Sequence, residues 1–461
     1  MVTSNLQSAI ALHQGGAIEA AATQYRALLA HDPNDAEALA LLALTHHQTR
    51  DYDAAIALFE DAINKAPAHA ARGDWYNNCA EAYRATYAWE KAFDYYGQAI
   101  AAHGAETAPV LFNLAGAMQE IGEHQHAINL FSRCIELAPT HASAHLRLGY
   151  AHLSLGELEA GWREFEWHVS ALTGESYLRH PAAPHNLLPR PSSWRDHVEG
   201  CARLLVIDDQ GLGDDLCMLR CAPRLTAAGW DITYTAANKL TPILTRCHPQ
   251  LIEPHPSDQT NAPCRYTGAS ELPMLARINS PADIPAPLPL QADQQRKAAI
   301  SRRLDNLPRP WIALTWRAGN PNTLNGQSKC IALEDLLQTL QPITGTLLLV
   351  QRGIDQDELA QVRRSGLKHI DLSAQSDDLE MALAIMALAD EYVSVSNTNV
   401  HLRTSIGKRS RVLSVVSPID FRWPSSAQQS PWFPNCPIYR QALDGSWQDA
   451  LSALARDLRS H

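Results

Sequence analysis

Residues 111–140 read LFNLAGAMQEIGEHQHAINLFSRCIELAPT, and four positions in them set a frame that recurs along the chain. Ala127 stands four residues before Phe131, Ala115 sixteen before it, and Pro139 eight after it. The same step from a small residue to an aromatic recurs at Ala21/Tyr25, Ala55/Phe59, Ala92/Tyr96 and Gly161/Phe165. The five aromatics are 34, 37, 35 and 34 residues apart. The earlier small residue recurs as Ala9, Ala43, Ala80 and Gly149. The proline recurs as Pro33 and Pro67, with Gly104 and Thr173 in its slot in the third and fifth units. Small residues let the two helices of a hairpin approach closely, and the aromatic fills the gap to the next hairpin. Proline stops the second helix, because it lacks an N–H and clashes with the preceding turn. One hairpin is too small to bury its own face, so stacked neighbours supply the core.

With Leu42, Leu114 and Leu148 also in place, the pattern resembles the tetratricopeptide repeat family over about five consecutive units. That resemblance predicts an α-solenoid over residues 1–170, used to grip another protein. The small and aromatic positions belong to packing. Partner contacts are expected instead from polar residues on the first helices, namely Asn77, Asn78, Asn113 and Arg147. Self-association through terminal helices is a further expectation for such an array.

Composition bounds the rest. A chain of 461 residues exceeds what one core usually supports, and 46% hydrophobic with 19% charged residues is ordinary for globular proteins. A net charge of −11 argues against wrapping nucleic acid or an anionic membrane. The nine cysteines are scattered, with no CxxC spacing. Cys217 and Cys221 share a helix face, but two thiols fall short of the four ligands of a zinc site. Reduced, structural thiols are expected. There is no basic segment followed by an apolar core at the amino terminus and no run of 18 apolar residues, so the expectation is a cytoplasmic protein without a transmembrane segment.

Residues 171–200 carry Pro181, Pro184, Pro189 and Pro191 and read as a linker, with Trp194 packing it onto the next section of the chain. Strands and helices then alternate, which predicts two α/β sections with mostly parallel sheets, at 201–290 and 291–461. Strands are expected at Arg203–Asp208, Asp231–Thr235, Gln250–Glu253, Trp311–Thr315, Leu347–Gln351, His369–Leu372, Tyr392–Val395 and, last, Arg411–Val416. A proline-rich crossover, Ser280–Leu290, separates the two sections. The fold class is therefore α plus α/β, multidomain, and ligands of such sheets bind at the carboxyl ends of the strands.

Two strand-to-helix loops attract attention there. Gly211-Leu-Gly213-Asp214 lacks both the third glycine of a dinucleotide fingerprint and the Lys-Ser/Thr of a P-loop. Ser394-Val-Ser396-Asn397-Thr398-Asn-Val-His401 caps a helix and offers free N–H groups to an anion. Between them lie Trp316, Arg317, Asn320 and Lys329, cations and polar groups suited to a diphosphate.

From about Pro189 onward the chain resembles bacterial GT-B glycosyltransferases related to the ADP-heptose lipopolysaccharide heptosyltransferases, glycosyltransferase family 9. The landmarks are Gln210-Gly-Leu-Gly-Asp214, Trp316 with Gly319-Asn320, Gln351, Asp377/Asp378, Ser394-Val-Ser-Asn-Thr398 with His401-Leu402 and Gly407, and Ser430-Pro-Trp-Phe-Pro434. The resemblance implies a paired Rossmann-type fold, with the acceptor in the first half and the nucleotide-sugar in the second. It puts Asp214 in the place of the general base of an inverting, metal-independent transfer. Gly211, Gly213, Trp316, Arg317, Asn320, Lys329, Gln351, Ser396, Asn397, Thr398 and His401 would hold the nucleotide-sugar, which is a substrate, with no cofactor implied. Each position also has a plainer reading: Asp214 as a helix-start acid, Lys329 as a solvated cation, His401 as a core histidine. Arg403-Thr404-Ser405 departs from the small residues usual after the His-Leu pair. Arg403 either reaches the cleft as an extra phosphate ligand or alters the packing of the helix. The short first half leaves a second expectation open, a non-catalytic adaptor with a degenerate glycosyltransferase-like domain.

Overall fold

The computed structural model describes residues 2–167, 177–178, 188–189, 203–208, 211–235, 239–252, 264–318, 329–424 and 429–459. Two compact units divide between Ala144 and His145. The first unit consists of hairpins α1 (Val2–Gln14) with α2 (Ile18–His31), α3 (Ala36–Gln48) with α4 (Tyr52–Lys65), α5 (Arg72–Ala85) with α6 (Trp89–His103), and α7 (Ala108–Glu120) with α8 (His124–Leu137). The spacing read from the sequence is the packing observed. Ala9, Ala43, Ala80 and Ala115 are fully buried, as are Tyr25, Phe59, Tyr96 and Phe131. Asp35 and Asp51 cap α3 and α4 by accepting from the Ala38 and Ala54 amides, which satisfies donors a helix start leaves unpaired.

The fifth hairpin, α9 (Ala142–Ser154) and α10 (Leu158–Phe165), departs from the expected limit at residue 170. From His145 onward it belongs to the second unit. Its two signature glycines permit a close approach: a Cβ on Gly149 would meet the Gly161 oxygen at 3.0 Å, and one on Gly161 would meet the Leu153 side chain at 2.6 Å. Leu146, Leu153, Leu158, Trp162 and Phe165 join the core of the α/β section instead of completing a solenoid alone. Trp162 is the centrepiece. Its Nε1 donates to the Ile278 carbonyl at 3.0 Å, and its ring meets Phe421 and Trp432 edge-on at 5.8 and 5.9 Å. Most of the expected linker, including Pro181, Pro184, Pro191 and Trp194, lies outside the described residues; Tyr177–Leu178 pairs antiparallel with Leu188–Pro189.

The α/β section holds two parallel sheets. The first contains β1 (Arg203–Ile207), β2 (Asp231–Thr235) and β3 (Cys264–Gly268), in the order β2-β1-β3. Gln250–Glu253 was expected as a strand. Pro249, with its fixed φ, instead starts a 3-10 turn over Pro249–Leu251, and Ile252 alone bridges to Tyr234. The third strand is Cys264–Gly268, a stretch whose mixed side chains gave no apolar run to read.

The second sheet contains β4 (Trp311–Thr315), β5 (Thr346–Leu349), β6 (His369–Asp371), β7 (Glu391–Val395), β8 (Arg411–Ser414) and β9 (Ile438–Arg440). Arg411–Val416 was expected to be the last strand; β9 adds another on the outer edge of β8. Numbered within the sheet, the order β6-β5-β4-β7-β8-β9 is 3-2-1-4-5-6, the doubly wound arrangement. Both faces are covered, which is why β4 is buried at every residue. Ile312, Leu314, Leu347 and Leu349 pack against helices Leu333–Leu340 and Gln448–Arg459, while Ala313, Leu348 and Tyr392 face helix Leu379–Leu388. The strand order reverses between β4 and β7, and a doubly wound sheet has its crevice at that switch point, here beyond Thr315 and Val395.

Candidate functional site

Five segments leave carboxyl ends of strands near that crevice: Gly211–Met218 after β1, Trp316–Ala318 and Lys329 after β4, Gln351 after β5, Ser396–Ser405 after β7 and Asp420–Trp423 after β8. The two loops singled out in the sequence meet. Helix Leu212–Met218 packs on helix Thr398–Ser405, and Gly213 is what allows it. A Cβ there would lie 2.9 Å from His401 Cδ2 and 3.2 Å from the Thr398 Cα, the latter a backbone atom that cannot step aside. Gly213→Val should therefore spread the two helices and cost about 1–3 kcal/mol. Urea unfolding would read the loss, and an unchanged midpoint would refute the contact.

Asp214 and an arginine absent from the sequence reading form the polar centre. Arg422 donates Nη1 to Asp214 and both Nε and Nη2 to Asp420, at 2.7 and 2.8 Å. Asp420 also accepts from Ser396 Oγ at 3.3 Å and has Lys329 Nζ 3.9 Å away. Trp423 Nε1 donates to the same Ser396 oxygen at 2.9 Å. Burial works against ionising Asp214, but Arg422, with Lys329, outweighs it and holds the carboxyl below its ordinary range. Burial likewise opposes ionisation of Asp420, and Arg422 with Lys329 pushes its carboxyl far down. Arg422 itself is raised despite its burial, because two carboxylates face it.

His401 is buried, 3% exposed, with its ring edge-on to Phe433 at 5.2 Å. Burial pushes its imidazole down to about 3, reinforced by Arg422 and opposed by Asp214. It is thus a neutral hydrogen-bonding group here and brings no charge to a phosphate. Its Nδ1 has no partner among the described residues. A proton linkage results. The unfolded chain protonates this imidazole below about 6.5, whereas the folded one resists until about 3. Stability from His401 is complete above the unfolded value and is lost progressively as pH falls from there towards 3. His401→Gln should flatten the acid dependence between pH 6.5 and 4.5, read by hydrogen exchange of β4 and β7 amides.

The remaining residues divide by use. Gln351 Oε1 accepts from the Trp316 and Arg317 amides, both at 3.1 Å, and fixes the turn after β4. Arg317 pairs with Glu358 through Nε and Nη2 at 2.9 and 2.8 Å and also bonds the Gly353 carbonyl at 2.6 Å; Trp316 Nε1 donates to the same Glu358 at 2.7 Å. These two side chains are spent on each other's surroundings. Asn397 caps the Thr398 helix through the Asn399 amide at 2.9 Å, donates to Ser394 Oγ and accepts from the Tyr392 hydroxyl. Gly211 lies against Asp214, and Asn320 falls outside the described residues. The two readings of Arg403 resolve to packing. It is 1% exposed, and it donates to the carbonyls of Arg409, Met386, Ala389 and Asp390. In the array, Asn113 donates to Asn77 at 3.2 Å, Asn78 is half-buried, and Arg147 lies in the second unit.

Asp420, Phe421, Arg422 and Trp423 were missed in the sequence. Their signal was present, an acid and a base flanking an aromatic just past Pro418, beyond a strand's carboxyl end. Among the described residues no three His, Cys, Asp or Glu side chains cluster for a metal ion, and no helix is long and apolar enough to cross a membrane.

Comparison with known proteins bears on the array. Residues 6–74 and 108–141 match tetratricopeptide repeat models, and the amino-terminal solenoid is of that type, a scaffold for protein–protein contact. Protein FlbA of Caulobacter vibrioides (strain ATCC 19089 / CIP 103742 / CB 15) is 23% identical over 419 residues, 76% of this chain and 67% of that protein. Among solved structures, MamA is 20% identical with a TM-score of 0.31, covering 36% of this chain and 95% of its own. A tetratricopeptide protein of Thermus thermophilus is 21% identical with a TM-score of 0.33, covering 37% of this chain and 90% of its own.

Proposed function

We propose that the protein is a glycosyltransferase of GT-B type that moves a sugar from a nucleotide-sugar to a protein recruited by the repeats. The observation that carries this reading is the meeting of Gly213-Asp214 with the Thr398–His401 helix start at the switch point of a doubly wound sheet. The step is an inverting displacement. The acceptor hydroxyl gives its proton to Asp214, its oxygen bonds the anomeric carbon, and the bond to phosphate breaks with its electron pair leaving on the diphosphate. Asp214 is always ionised at neutral pH, yet a carboxylate held low is a weak base. Most of the barrier reduction then falls to stabilising the diphosphate, by Lys329, the Ser396 hydroxyl and the helix N–H groups. His401, neutral, serves as a hydrogen-bonding partner of the donor.

Calorimetric titration of the whole chain with UDP, GDP, ADP and CMP tests the reading, followed by mass-shift assays with the matching nucleotide-sugars. Binding that is lost in Ser396→Ala and Lys329→Ala is expected. A second reading, a non-catalytic adaptor, draws on Arg317 and Arg403 being wholly engaged in internal bonds. It is the outcome if none of the four nucleotides binds.

A further inference from the structure

Tyr150 belongs to the fifth repeat hairpin, yet its surroundings are those of the candidate site. Its ring stacks on Phe421 at 5.9 Å with 24° between planes and leans on Phe165 at 5.6 Å. Phe421 stands between Asp420 and Arg422, and Arg422 donates to both Asp420 and Asp214. The aromatic cluster behind it, with Trp162 and Trp432, fixes the position of the ring. Aromatic packing of this kind fills the back of a site, and a phenol is not needed for it, since phenylalanine would stack as well. The hydroxyl is therefore the unexplained group, and it has no hydrogen-bond partner among the described residues. Burial, with Asp214 adding and Arg422 opposing, pushes its ionisation up to about 12. At neutral pH it is an O–H donor and not a base.

We infer that Tyr150 is an acceptor-binding residue, its hydroxyl donating to the acceptor's nucleophilic oxygen on the side away from the nucleotide loops while Asp214 accepts that oxygen's proton. This deepens the glycosyltransferase reading and rests on it. An aliphatic hydroxyl, as on Ser or Thr of a protein segment, has one proton to give and two lone pairs. One lone pair attacks the anomeric carbon and the other accepts from Tyr150, so both groups are satisfied at once. The chemistry also assigns the last repeat a task other than capping the array: it presents a side chain to the acceptor.

The test uses the full chain, whichever of UDP-N-acetylglucosamine, GDP-mannose and ADP-heptose binds it, and a peptide pool in which each member carries one Ser or Thr. Tyr150→Phe keeps the ring stack and removes only the donor. It should raise the peptide KM by roughly tenfold, the loss of one net hydrogen bond, while nucleotide-sugar affinity stays unchanged. An unchanged peptide KM overturns the inference and leaves the glycosyltransferase reading standing. A change in donor affinity, with peptide KM unaltered, also overturns it. Binding of none of the three nucleotide-sugars removes the reading and the inference together. Tyr150→Ala serves as the packing control, and a thermal shift in it but not in Tyr150→Phe separates ring from hydroxyl.

Discussion

Asp214→Asn should reduce sugar transfer by roughly 10²–10⁴-fold, the range for removing a positioned general base, with little change in nucleotide affinity. The substitution is nearly isosteric, and Arg422 keeps both of its bonds to Asp420, so the site should keep its shape. That makes the variant informative. The amide cannot take the acceptor's proton, but it leaves the loop, the helix contact at Gly213 and the cations in place. Transfer measured by mass shift on a fixed acceptor should fall, while calorimetry with the nucleotide should not. The pH profile adds a second readout. Because Arg422, working against burial, holds the carboxyl below its ordinary range, wild-type transfer should persist to pH values where an ordinary aspartate has begun to protonate. Undiminished transfer by Asp214→Asn would remove the base and reassign the residue to structural pairing with Arg422.

Trp162→Ala should be the most damaging substitution to the fold, costing about 3–5 kcal/mol in the second unit. Trp162 is 2% exposed, bonds the Ile278 carbonyl and touches Phe165, Phe421 and Trp432. Truncation would leave a cavity and an unsatisfied carbonyl at once. Hydrogen exchange can resolve the effect by unit: protection should fall in β1 and β4 and persist in α3–α6. Uniform loss in both units, or none, would contradict the division after Ala144. A chain starting at residue 171 should fare worse than one starting at 145, since the former lacks the whole hairpin that fills this core.

Legibility in the sequence tracks the physics of locality. The repeats were legible because each hairpin restates the same small and aromatic positions, and Tyr25, Phe59, Tyr96 and Phe131 are buried as their spacing requires. Most parallel strands were legible because two-sided burial demands an apolar run, as in Trp311–Thr315. Cys264–Gly268 and Ile438–Arg440 were not, since edge strands carry mixed side chains. The fifth hairpin misled because its helices obey the repeat frame while its outward residues serve another core. Of the candidate site, the loops were legible and their partners were not. Arg422 meets Asp214 across 208 residues of chain, a pairing no spacing rule reveals. Arg403 illustrates the converse. Its charge suggested phosphate, and the fold surrounds it with four carbonyls that consume it.

The bond from Trp423 Nε1 to Ser396 Oγ gives the molecule an optical gauge. An indole whose N–H is tied to a neutral hydroxyl, in a buried setting, emits according to that hydroxyl's other partners. Any anion that captures Ser396 redraws the local field at one fluorophore, without a label. If the proposed nucleotide-sugar binds at the helix start, the emission of this one of the chain's eleven tryptophans should change, and stopped-flow traces compared with those of Trp423→Phe would isolate it.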